Sequence, residues 1–251
     1  MIDPGFKDHF SARAKGYAQF RPSYPAALFD WLAGLAPGCS LAWDAGTGSG
    51  QAARPLAERF ERVVATDASA QQIDEAEPHP RIAYRIARER DSGLAEASCD
   101  LVTAAQALHW FDIPAFFAEA RRVLLPGGVI AVWTYAGPAL DEPGSNEVLQ
   151  EYVRLMDPWW PPERTLVETG YRTVAFPFVE VSAPPFELDL HPTRAELEGY
   201  LRTWSAHQRY TATHGDDPVV AVEARLAPIW PAGERRRLHW PLTVRAGRSG
   251  H

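Results

Sequence analysis

Asp44-Ala45-Gly46-Thr47-Gly48-Ser49-Gly50 is the stretch that decides how this chain folds. Before it stands Leu41-Ala42-Trp43, a short apolar run of strand character. After it, from Gln51 to Phe60, Ala53, Leu56 and Phe60 recur on one side of a helix. A glycine-rich turn between a strand and a helix lies where the crevice of a doubly wound sheet opens, so a ligand is expected there. Three glycines at alternate positions behind an acidic residue are more than a tight turn needs. A dinucleotide fingerprint would place glycine where Gln51 stands. Asp44 would gain nothing beside a pyrophosphate, whereas its carboxylate would attract a cationic ligand.

Working outward, Val63-Val64-Ala65-Thr66 reads as a second buried strand ending at Asp67, 21 residues past Gly46. A carboxylate at that distance accepts hydrogen bonds from both hydroxyls of a ribose. Ser69 to Gln72 has the S-x-x-Q form of a capping box. Ile82 to Ile86 and Asp100 to Ala105 read as third and fourth strands. Asp112 and Pro114 mark a helix with Phe117, Ala120 and Leu124 on its apolar side, and Pro126-Gly127-Gly128 ends it before a fifth strand, Val129 to Tyr135. From Pro25 to Ala36, Leu28, Trp31, Leu32 and Leu35 make an amphipathic helix. Strands alternating with helices imply an α/β fold whose mainly parallel sheet is covered on both faces.

Beyond Gly137 the alternation gives way to prolines and aromatics, as in Pro158-Trp159-Trp160-Pro161-Pro162. This texture reads as an inserted helical and aromatic lid. Asn146 to Met156, Arg194 to His207 and Pro218 to Leu226 are helical by periodicity, and Phe186 to Leu190 alternates as a strand does. Trp240 to Arg245 is expected to close the sheet. The expected organisation is one domain over 1–251, with an N-terminal cover at 1–24, a ligand-binding core at 25–136, the lid with a late strand at 137–231, and a final strand and tail at 232–251.

Composition narrows the partners. A chain of 251 residues with 46% hydrophobic and 23% charged residues is an ordinary globule. No run approaches the roughly 18 apolar residues of a membrane span. No basic region followed by an apolar stretch opens the sequence, so a cytoplasmic location is expected. A formal charge of -7 works against binding a polyanion, which argues against nucleic acid. Cys39 and Cys99 can build neither a disulfide framework nor a thiolate metal site, and both read as core or near-core residues. His207 and His214 have no acidic or cysteine companions at metal spacing, and Thr211, Thr213 and Gly215 weaken a continuous helix around them; no metal is expected. Arg235-Arg236-Arg237 reads as a solvated run. The oligomeric state is left open.

A ligand with an ammonium, a sulfonium and one ribose satisfies both Asp44 and Asp67, and S-adenosylmethionine is such a ligand. The loop, Asp67, the Asp100 strand leading into Gln106-Ala107-Leu108-His109-Trp110-Phe111-Asp112, and Arg122-Val123-Leu124-Leu125-Pro126-Gly127-Gly128 together resemble class I S-adenosylmethionine-dependent methyltransferases of the type 11 group. Tyr17-Ala18-Gln19-Phe20-Arg21-Pro22-Ser23-Tyr24-Pro25 and Tyr200-Leu201-Arg202-Thr203-Trp204-Ser205 resemble the small-molecule, trans-aconitate-like subgroup. Where the family usually has Ala-Glu or Asp-Ala after the third strand, this chain has Arg88-Glu89-Arg90-Asp91.

The resemblance implies a Rossmann-like domain that binds the cofactor through Asp44, Gly46, Thr47, Gly48, Gly50, Asp67, Ala68 and Gln106. It implies methyl transfer to a small organic acceptor, a carboxylic acid being the leading candidate. Tyr17, Arg21, Trp110, Tyr135 and Trp204 are the residues expected to face that acceptor, and His109, after the fourth strand, is the candidate for proton transfer. For Tyr135 and Trp204, burial in lid or strand core is the competing expectation. A nicotinamide-dependent oxidoreductase is disfavoured by Gln51 and Asp44, and a catalytically silent S-adenosylmethionine-binding protein is the other alternative.

Overall fold

The computed structural model describes residues 23–250. The expectations resting on Tyr17 and Arg21 lie outside the described residues. Five parallel or near-parallel strands follow one another in the predicted order: β1 (Leu41–Ala45), β2 (Arg62–Asp67), β3 (Ile82–Ile86), β4 (Cys99–Ala105) and β5 (Leu124–Thr134); the last begins five residues before the expected Val129, so Leu124 and Pro126-Gly127-Gly128 belong to the strand and not to the end of the preceding helix. β1 pairs with β2 and β4, β2 with β3, and β4 with β5, all in parallel. The central strands β1 and β4 are buried along nearly their whole length, as strands covered on both faces must be.

Helices α1 (Ala26–Leu35) and α2 (Ala53–Ala57) cover one face, with Leu28, Phe29, Leu32 and Leu56 fully buried. Helix α4 (Ile113–Val123) covers the other, burying Phe116, Phe117 and Ala120. Asp112 caps α4 by accepting the Ala115 amide, and a proline sits in the first turn. The short α3 (Ala70–Asp74) is capped by Ser69, whose side chain accepts the Gln72 amide.

The remaining elements are β6 (Ala139–Leu140), α5 (Pro143–Met156), α6 (Arg164–Glu168), β7 (Val179–Val181), β8 (Phe186–Leu190), α7 (Arg194–Arg202), α8 (Ser205–His214), α9 (Val219–Leu226) and β9 (Leu238–Arg248). The sheet runs β3-β2-β1-β4-β5-β9-β6, with β7 and β8 also on β9. β9 was expected to close the sheet; it runs instead through the interior of the antiparallel half. Its second part lies antiparallel to β5 and β7, and its first part antiparallel to β6 and β8.

The segment from 137 to 231 shares the core of the sheet. Leu149, Tyr152, Met156, Leu201, Trp204 and Trp230 belong to the same buried cluster as Leu28, Trp133 and Trp240. Burying side chains of this size contributes about 2–3 kcal/mol each.

Four expectations need correction. The predicted helix from Arg194 to His207 is broken at Thr203, whose amide and hydroxyl both bond the Tyr200 carbonyl; a new helix then starts behind Trp204, whose carbonyl accepts the Gln208 amide. That helix continues through Thr211 and Thr213, where the Thr213 hydroxyl bonds back to the Arg209 carbonyl. Cys39 is exposed, whereas Cys99 is buried. The arginine run is bound to the fold: Arg235 pairs with Glu196, Arg236 lies over Trp230 and bonds the Ser145 hydroxyl, and Arg237 pairs with Glu187. Among the described residues, no helix is long and apolar enough to cross a membrane.

Candidate active site

The site is built at the carboxyl ends of the parallel strands. Asp44, in β1, is fully buried, and its two oxygens accept the Thr103 and Thr47 hydroxyls, each at 2.7 Å. The register sets Thr103 of β4 directly beside Asp44, so the Thr103 bond is a product of strand pairing. Burial, the largest influence, pushes the Asp44 carboxyl up to about 6; the two hydroxyls pull the other way, and Asp67 adds repulsion. Among the described residues, no cation is one of the groups that shift it.

Past Asp44 the chain turns through Gly46, Gly48 and Gly50, with φ of +66°, +57° and +90°. At Gly46 the requirement is doubled. A Cβ there would stand 2.6 Å from that of Ala107, so the segment after β4 lies directly against the loop. The Thr47 amide bonds the Thr66 carbonyl at 2.9 Å, which fixes the loop to the end of β2.

Asp67 ends β2. One carboxylate oxygen accepts the Gly48 amide and the other the Ser69 amide, both at 2.9 Å. The carboxylate thereby braces the glycine loop. Ala68, next to it, is partly exposed.

Gln106 follows β4 with φ +51°, a left-handed conformation unusual for a glutamine. Its side chain is engaged with β5: the amide nitrogen donates to the Tyr135 carbonyl at 3.2 Å, and the oxygen accepts the Tyr135 amide at 3.1 Å and the Thr134 hydroxyl at 2.5 Å. Gln106 therefore positions the turn between β4 and His109.

His109 lies in a single 3₁₀ turn, Leu108–Trp110. Its Nδ1 is 2.9 Å from the Tyr171 hydroxyl, and its ring packs against Trp110 and stacks on Tyr171. Burial, with a smaller push from Arg164, lowers the imidazole to about 3, so the ring is neutral at physiological pH.

The predicted acceptor residues fall into two aromatic groups. Trp110 stands with His109. Tyr135 packs on Trp240, Trp240 on Tyr200, and Tyr200 on Trp204, which also touches Tyr152 and Trp160. Both Tyr135 and Trp204 are buried. A cleft of about 520 Å³ beside Arg121, Phe176 and Phe178 includes none of these groups.

Sequence reading missed Thr103, Thr134 and Tyr171. None has a local signal: each reaches the site through strand register or through a distant turn.

The donor set fits S-adenosylmethionine. Among the described residues no cation bears on the buried Asp44, the loop amides turn on left-handed glycines, and a fixed carboxylate stands at the end of β2. Residues 43–132 match the family model described as a methyltransferase domain. A solved structure from Anaeromyxobacter dehalogenans, assigned as a type II methyltransferase, is 45% identical over 92% of this chain and 100% of its own, with a TM-score of 0.88. A Dictyostelium discoideum protein assigned as a methyltransferase is 29% identical over 88% of this chain and 86% of its own. Methyltransferase cfoB of Aspergillus candidus is 33% identical over 78% of this chain and 63% of its own. The chain belongs to the class I S-adenosylmethionine-dependent methyltransferases. It is an enzyme of that class, and its cofactor is S-adenosylmethionine.

Proposed function

We propose that the chain transfers the methyl group of S-adenosylmethionine to a small organic acceptor, a carboxylic acid being the leading candidate, in keeping with the trans-aconitate-like motifs at Tyr17 to Pro25 and Tyr200 to Ser205. The observation that carries the small-acceptor reading is the buried aromatic row Tyr135, Trp240, Tyr200 and Trp204 beyond the end of β5. Such a row suits an enclosed organic molecule better than a broad polymer surface, and the acidic net charge disfavours a nucleic acid. In this reading Arg21 holds the acid through paired hydrogen bonds, and Trp110, Tyr135 and Trp204 exclude water around it.

When bound, the cofactor supplies a methyl group already activated by a positively charged sulfur. The protein's own contribution is alignment. Asp67 and the Gly48 amide fix the loop, Asp44 offers its carboxylate to the ammonium, and Tyr17 with the aromatic residues covers the acceptor. Holding two reactants in line removes much of the entropic cost of their encounter. Incubating the protein with S-adenosylmethionine and panels of small carboxylic acids, phenols and amines, with S-adenosylhomocysteine as readout, tests the proposal. Turnover confined to peptides or nucleic acids would reject it.

A further inference from the structure

Arg164 opens α6, close behind Pro158-Trp159-Trp160-Pro161-Pro162. Its amide donates to the Pro161 carbonyl at 2.9 Å and the Thr165 amide to the Pro162 carbonyl at 3.2 Å, so the proline segment runs straight into the helix. Trp160 and Arg164 are thereby held together, with the guanidinium carbon over the indole, 4.3 Å from the ring centre. Trp160 in turn touches Trp204, their ring centres 5.5 Å apart, and so joins the aromatic row that runs back through Tyr200 and Trp240 to Tyr135. On its other side α6 packs against the 3₁₀ turn that carries His109 and Trp110, and the chain after α6 stacks Tyr171 on the His109 ring. Arg164 therefore stands where the two aromatic groups of the site meet.

Burial separates the two ends of the row. Tyr135, Trp204 and Trp240 are buried, whereas His109, Trp110, Trp160 and Arg164 are only partly so. Among the described residues, the cation stacked on this more open end is Arg164, 19% exposed. Glu168 stands 3.7 Å from it, beyond hydrogen-bond distance, and is itself 50% exposed, so water screens much of the carboxylate's charge. Arg209 is engaged elsewhere, with the Trp159 carbonyl at 3.2 Å. His109 adds no charge, because burial and, to a smaller degree, the Arg164 guanidinium hold its ring neutral. A tryptophan face is the aromatic surface that best attracts a cation, and the Trp160 face already carries the chain's own.

We propose that Arg164 is a specificity-determining residue of the acceptor site: its guanidinium, laid on Trp160 beside the His109 turn, occupies the aromatic face that a cationic acceptor would need and repels such an acceptor, so that only neutral and anionic molecules bind. This deepens the methyl-transfer reading above and rests on it. Without Arg164, a row of tryptophans and tyrosines is the kind of surface that holds quaternary ammonium compounds. With it, the same rings still offer apolar area to an organic molecule, but the place for a positive charge is filled. The guanidinium is suited to this use because it is planar, stacks on an indole and stays charged at every working pH. A partly buried position keeps its field from being fully screened, so the charge of an incoming molecule decides whether it is admitted.

The test uses two probes of one shape and different charge, choline and 3,3-dimethylbutan-1-ol, titrated into the full chain bound to S-adenosylhomocysteine and followed by tryptophan fluorescence. The wild-type protein should bind the neutral alcohol at least tenfold more tightly than choline. In Arg164→Gln the two affinities should come within threefold of each other, chiefly through a gain for choline. Arg164→Lys keeps the charge and should keep the wild-type ratio. A guanidinium that only props Trp160 predicts otherwise: Arg164→Gln would weaken both probes alike, and lysine, a poorer stacking partner, would weaken them too. That result overturns the proposal, as does an unchanged ratio in Arg164→Gln. Wild-type protein that binds choline as well as the alcohol, or that binds neither, overturns it without any variant having to fold. Calorimetry with S-adenosylhomocysteine alone is the separate control, and its failure rejects the methyl-transfer reading itself.

Discussion

Asp67 grips Gly48 across the top of the sheet: a carboxylate at the end of β2 accepts an amide from the loop after β1 at 2.9 Å. One side chain thus shapes the loop and, in the proposed reading, also holds the ribose of the cofactor. Asp67→Ala should weaken S-adenosylmethionine binding by about 2–4 kcal/mol, since a charged acceptor is lost from ligand hydroxyls and from the loop at once. Titration calorimetry reads this directly, and unchanged affinity would remove Asp67 from the site.

Asp44 sets a pH dependence. Its carboxyl rises from 3.8 to about 6 in the folded protein. A raised acid gives stability that is complete below 3.8 and lost as pH climbs through about 6. Near neutral pH the ligand-free protein therefore holds a buried anion costing on the order of 2–3 kcal/mol. Asp44→Asn should raise the ligand-free Tm at pH 7 while lowering cofactor affinity more than tenfold. In the unaltered protein, affinity should fall between pH 7 and pH 5 as the carboxylate protonates. A variant that melts lower and binds normally would show that Asp44 is only structural.

The N-terminal stretch and residues 137–231 are expected to cover the acceptor. Hydrogen exchange with S-adenosylhomocysteine and acceptor should show new protection along the cover and little change in β1, β2 and β4. Because Leu149, Trp204 and Trp230 already lie in the sheet's own core, the gain should concentrate in loops between the helices rather than within them. Uniform protection throughout the chain would count against a separate cover.

What could be read from the sequence was whatever depended on neighbours in the chain. The glycine loop, Asp67 at its fixed distance and the alternation through β5 are local patterns, and local patterns survive tertiary packing when all agree. Thr103 is different: nothing near it marks a site, and it meets Asp44 only through the β1–β4 register. Tyr171 reaches His109 across 62 residues, carried there by a turn that Gly170 makes against Thr243. The arginine run looked solvated because its partners, Glu196, Ser145 and Glu187, come from three separate elements. Helix α8 was discounted for its threonines, whose hydroxyls find partners within the helix itself.

Arg21 separates two uses of one guanidinium. Arg21→Ala should lower kcat/KM for an acidic acceptor by about 1.5–3 kcal/mol equivalent and leave cofactor affinity alone. Steady-state kinetics beside calorimetry distinguish the outcomes. If affinity for S-adenosylmethionine falls instead, Arg21 holds the methionine carboxylate, and the preference for an acid loses its support.

β9 has an implication for how the molecule comes to be made. Thr134 pairs with Thr243 and Val129 with Arg248, the longest jumps in sequence anywhere in the sheet. During synthesis the outer edge of β5 has no neighbour until β9, the last strand in chain order, has emerged. β6, β7 and β8 likewise wait for the strand they flank. An apolar edge left open that long is a template for pairing with another chain. Nascent and refolding molecules should thus be most prone to aggregate in the interval after β5 forms and before β9 docks, and an early stop ahead of Leu238 should yield insoluble protein even though every candidate cofactor residue has already been made.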